Sequence, residues 1–105
     1  MQELIEELAR ATGPTFVLDR EIMYAVFDVK PEHRSPGDTP KPYTASIDAA
    51  MTLVPNHTPD WDLKSAPHRR GYVALLFDPK RTFRADAATP ALAICIAALL
   101  ARVNK

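Results

Sequence analysis

Few side chains in this chain of 105 residues sit close enough in sequence to do chemistry together. The best group is His57, Asp60 and Asp62 around Trp61, a histidine and two carboxylates of the types that serve as general base or hard-metal ligands. Their spacing is loose, and acidic residues at the start of a strand are ordinary solvent-facing choices. His33 and His68 lie among prolines and charged residues, without a ligand partner at short spacing. Cys95 falls inside an apolar run, so it reads as a buried small hydrophobe rather than a nucleophile. As the only cysteine it can form no internal disulfide, which suits a reducing compartment such as the cytoplasm. Ser46 has no nucleophile elbow around it and suits a helix cap. With only Gly13, Gly37 and Gly71, no glycine-rich phosphate cradle can be built. The expectation is a non-enzymatic chain with no catalytic residue, metal or cofactor.

What remains is side chains suited to recognition. Aromatic residues and arginines are the usual anchors of protein interfaces. Trp61 is read first as a ring filling the core between sheet and helix. For Tyr43, beside a proline-rich segment, burial and contact with a partner are balanced, and it joins the candidate interaction residues. The others are Arg69, Arg70, Arg81 and Arg84, which stand out through charge distribution. Net charge is zero, yet residues 1–62 carry 11 acidic and 5 basic side chains while residues 63–105 carry 2 and 8. The simplest reading is that the two halves belong to one domain and neutralise each other. The alternative is a basic surface of Lys64, Arg69, Arg70, Lys80, Arg81 and Arg84 facing nucleic acid or an acidic protein. A dedicated nucleic-acid binder has a pI above about 9, and here the pI is about 6.8. Partners are therefore expected to be another protein or a second copy, with nucleic acid disfavoured.

These residues must be positioned by elements that the periodicity outlines. Leu4, Ile5, Leu8 and Ala11 form one helical stripe with Glu3, Glu6, Glu7 and Arg10 opposite, and Thr12-Gly13-Pro14 ends the helix. A second helix is expected from an Asp19 N-cap to about Val29, stopped by Pro31. Between Lys30 and Pro42 stand Pro31, Pro36, Pro40 and Pro42, without apolar periodicity; the segment reads as an exposed loop, mobile rather than functional. Ser46 caps a short third helix over residues 47–54, closed by Pro55. Period two then takes over. Trp61 and Leu63 alternate with Asp62 and Lys64, residues 72–77 are apolar on both faces, and Phe83, Ala85 and Ala87 alternate with Arg84 and Asp86. Asp78-Pro79-Lys80-Arg81 suits a tight turn. Thr89-Pro90 opens a last helix, apolar nearly all round, whose small-residue face invites close approach by another helix, within the chain in preference to a second copy.

The fold class that follows is α+β: a three-layer α/β/α sandwich in which a three-stranded antiparallel meander has helices on both faces. With 47% hydrophobic and 25% charged residues the composition is that of one globular domain, residues 1–105, rather than a disordered chain. The longest apolar run, residues 91–101, is too short for a membrane span of about 20 residues. The acidic opening Met-Gln-Glu-Leu-Ile-Glu-Glu is unlike a secretory signal.

Two stretches carry a resemblance. They are Tyr43-Thr44-Ala45-Ser46-Ile47-Asp48-Ala49-Ala50-Met51-Thr52-Leu53-Val54-Pro55 and Ala88-Thr89-Pro90-Ala91-Leu92-Ala93-Ile94-Cys95-Ile96-Ala97-Ala98-Leu99. With Trp61 after the first and an amphipathic helix at the start, they resemble the phage ABA sandwich domain, a family of short phage and prophage proteins. The resemblance implies α-β-α layering and a phage or prophage accessory protein in the bacterial host. It implies no catalytic residues.

Overall fold

The computed structural model describes residues 1–58, 60–66 and 71–103. Four helices and three strands follow one another as α1 (Gln2–Arg10), α2 (Phe16–Val26), α3 (Ile47–Met51), β1 (Asp60–Ala66), β2 (Gly71–Phe77), β3 (Thr82–Ala87) and α4 (Pro90–Val103). The strands form an antiparallel meander in the order β1-β2-β3. This is the α+β arrangement that the sequence pattern describes. The radius of gyration is 13.2 Å, close to the ~13 Å of a chain of this length packed around one core.

The caps form as their residue types dictate. The Ser46 hydroxyl accepts from the Ala49 N–H at 3.2 Å and the Thr89 hydroxyl from the Leu92 N–H at 3.2 Å, each satisfying a donor that a helix start leaves unpaired. In the β2–β3 turn the Asp78 carboxylate accepts from the N–H groups of Lys80 and Arg81 at 2.7 and 2.6 Å, and Asp78 N–H donates to the Arg81 carbonyl. Asp19 is not the start of α2. That helix begins three residues earlier behind Thr15, and Asp19 is buried inside it. Its Oδ1 accepts from both the N–H and the hydroxyl of Thr44 at 2.8 Å, joining α2 to the approach of α3.

Helix α4 is the centre of the molecule, with ten of its fourteen residues buried. One side lies on β2 and β3, and the rest packs against α1 and α3, which is the intramolecular use of its small residues. At its far end Arg102 Nε donates to the Leu53 carbonyl at 2.7 Å, tying α4 to the exit of α3. The core runs from Ile5, Leu8, Leu18 and Ile22 through α4 to Ala74, Leu76, Phe83, Ala85 and Ala87 on the sheet.

The strand residues that meet this core share one face. Tyr72, Ala74 and Leu76 of β2 are flanked in register by Leu63 on β1 and by Phe83, Ala85 and Ala87 on β3. The reverse face carries Val73, Leu75 and Phe77. They are half-buried and lie outside the core cluster. The second helical layer expected over them is not directly seen, since the main helix–sheet contacts are those of α4 with β2 and β3 and of α1 with β3.

The proline-rich segment is largely exposed, as expected, and side-chain bonds join part of it to α2. Tyr24 of α2 donates its hydroxyl to Asp38 at 2.9 Å, and Arg34 and Arg20 stand 4.7 and 5.8 Å from its ring centre. Arg20 also donates to the Ser35 carbonyl, and Asp38 accepts from the Ser35 N–H at 2.9 Å. These bonds from Ser35 and Tyr24 hold the Asp38 carboxyl below its ordinary value.

Candidate interaction surface

The reverse face of the sheet is built from the three strands by register. One row is Asp62, Leu75 and Arg84; the next is Lys64, Val73 and Asp86; the third is Asp60, Phe77 and Thr82. An apolar stripe along β2 is thus bordered by charged strands. On β1, Lys64 Nζ lies 3.4 Å from Asp62, and on β3, Arg84 Nε lies 3.3 Å from Asp86. These are exposed or half-exposed pairs, worth at most about 1 kcal/mol each. The stripe between these strands is half-buried.

Trp61 departs from the expected core position. It points to the helix side of β1, opposite Leu76, but remains 49% exposed. The reason is the placement of α4, which covers β2 and β3 and leaves the edge strand largely uncovered. Tyr43 departs the other way. It is 3% exposed, its carbonyl accepts from the Cys95 thiol at 3.2 Å, and burial pushes its phenol above the ordinary value. Tyr43 therefore offers no ring to a partner in this fold.

Of the candidate arginines, Arg69 and Arg70 lie outside the described residues, as does His68. Arg84 stands on the reverse face of the sheet. Arg81 stands at the β2–β3 turn, 3.7 Å from Asp78 and with its guanidinium 5.1 Å from the Phe83 ring centre. The two described candidate arginines thus stand on a strand and a turn, each with a carboxylate nearby.

His57 shares its cavity with the β2–β3 turn. It lines a cavity of about 300 Å³ with Asp78, Pro79, Lys80 and Arg81, and its Nε2 is buried without a hydrogen bond. Asp78 is the carboxylate of that cavity, held below its ordinary value chiefly by the Lys80 N–H, then by the N–H and charge of Arg81, with a smaller contribution from His57. Among the described residues no three histidine, cysteine or acidic groups could hold a metal ion together. Cys95 is fully buried, and its thiol is pushed up to about 12 by burial and by the nearby Asp19 charge. A thiol held protonated in this way is no nucleophile at neutral pH.

Sequence pattern alone misses two parts of this surface. The half-buried stripe was hidden because apolarity on both faces of a strand looks the same whether each face is fully or only partly covered. The exposure of Trp61 depends on how far α4 reaches, which no local signal encodes.

No family model matches the chain, and neither the curated proteins nor the solved structures contain a significant match. No helix among the described residues is long and apolar enough to cross a membrane.

Proposed function

We propose that this chain is a non-enzymatic protein-interaction module, a phage or prophage accessory protein working in the cytoplasm of a bacterial host by holding another protein against the reverse face of its sheet. The observation that carries this reading is the stripe of Val73, Leu75 and Phe77, apolar, half-buried and outside the core, between strands bearing paired charges. An apolar centre with a polar rim is the ordinary anatomy of a protein interface. The phage assignment is supported by the likeness of residues 43–55 and 88–99 to the phage ABA sandwich domain, and by that likeness alone. The nucleic-acid reading has weaker support, because Lys64, Arg81 and Arg84 stand 3.4, 3.7 and 3.3 Å from Asp62, Asp78 and Asp86. Locally neutralised cations release fewer counterions from a phosphate backbone.

The test is recovery of partners by in-cell crosslinking, comparing the wild-type chain with Leu75→Glu. Loss of a stoichiometric partner in the variant, with the fold intact by circular dichroism, is the expected result. An identical set of crosslinks in both chains would remove the reverse face from consideration.

A further inference from the structure

We infer that the partner of the reverse sheet face is a second copy of this chain, stacked face to face about a two-fold axis running along β2. This rests on the reading of that face as an interaction surface and names its occupant. The argument is charge complementarity. Rotation about an axis parallel to β2 lays β2 over the copy's β2 and β1 over the copy's β3, while each row of residues stays in its row. By the observed register, Asp62 then faces Arg84 of the copy and Lys64 faces its Asp86, and the symmetry repeats both pairs on the other side. Val73, Leu75 and Phe77 meet their own copies in the middle. A two-fold interface must be complementary to itself, and this row pattern is. Stacked sheets keep their strands within about 30° of each other at about 10 Å separation, so the long side chains of Arg84 and Lys64 reach their opposites.

The competing orientations are distinguishable. An axis across the strands through Leu75 sets Asp62 on Asp62 and Arg84 on Arg84, like upon like. Shifting that axis by half a row spacing restores opposite pairs, Asp62 over Lys64 and Arg84 over Asp86, but leaves Phe77 over Gly71. Only the axis along β2 joins all three apolar residues and pairs Asp62 with Arg84. The footprint is small. Three strands spaced about 4.8 Å apart, over five or six residues rising about 3.3 Å each, cover on the order of 300 Å² per copy. A stable dimer buries about 800 Å² per partner, so the association is weak and visible only at high concentration.

Sedimentation equilibrium from micromolar to millimolar protein tests this on the wild-type chain, Leu75→Glu, Arg84→Glu and the double variant Asp62→Arg with Arg84→Glu. Expected is reversible dimerisation of the wild type, lost in Leu75→Glu and weakened about tenfold or more in Arg84→Glu, where like charges oppose. The double variant should return to within about threefold of the wild type, because the two reversed charges face each other across the axis. Wild-type protein that stays monomeric at millimolar concentration would overturn the inference. So would a dimer indifferent to Leu75→Glu and Arg84→Glu, or a double variant no tighter than Arg84→Glu. A monomeric wild type that still loses its cellular partner on Leu75→Glu would sink only the self-pairing; a Leu75→Glu chain unchanged in both experiments would sink the interaction face as well.

Discussion

At Cys95 the surroundings decide the reactivity. Its sulfur is enclosed by the core, donates to the Tyr43 carbonyl and lies near the Asp19 charge, so the thiolate is disfavoured and the thiol is pushed up to about 12. An unfolded cysteine ionises near 8.5. The stability this contributes is fully present below that value and is lost as pH rises toward about 12. Native protein at pH 8 should therefore resist thiol alkylation and become reactive only in denaturant, with chemical stability declining through the alkaline range. Rapid labelling of the native chain would contradict the burial. The inert cysteine was legible in the sequence from its place in an apolar helix. Asp19 was not. A carboxylate near an expected helix start looks like a cap, and only the fold brings Thr44, 25 residues away, to bond it inside the core.

Among the elements, the turn chemistry and the helix caps were the most readable, because Ser46, Asp78 and Thr89 act on neighbours within three residues. Strand pairing was legible from period two. Which helix packs on β2 was not, since α4 reaches it through contacts between residues far apart in the chain. Gly71 shows the same limit. A Cβ there would stand 2.5 Å from the Ala87 carbonyl oxygen, a backbone atom that cannot swing aside. A strand interior ordinarily favours alanine over glycine by about 0.5–1 kcal/mol. Here the close approach reverses the sign, and Gly71→Ala should cost about 1–3 kcal/mol of stability, read as a lowered urea midpoint at unchanged slope. A variant as stable as the parent would show that β2 and β3 do not approach this closely.

For the whole molecule, the sheet has two unlike sides. One joins a core that runs through α4 to α1, α2 and α3; the other presents an apolar stripe between charged strands. The opposite charges of the two halves of the chain suggested neutralisation across the fold. The described ion pairs are local, Asp62 with Lys64, Asp78 with Arg81 and Asp86 with Arg84, and the first of them joins the acidic half to the basic half. The sidedness is tested most directly by methyl relaxation with a soluble gadolinium chelate in dilute, monomeric protein. The methyl groups of Val73 and Leu75 should relax strongly, while those of Leu76, 1% exposed on the opposite side, should stay silent. Equal protection of Leu75 and Leu76 would mean that both sides of the sheet are covered, and the interaction face would not exist.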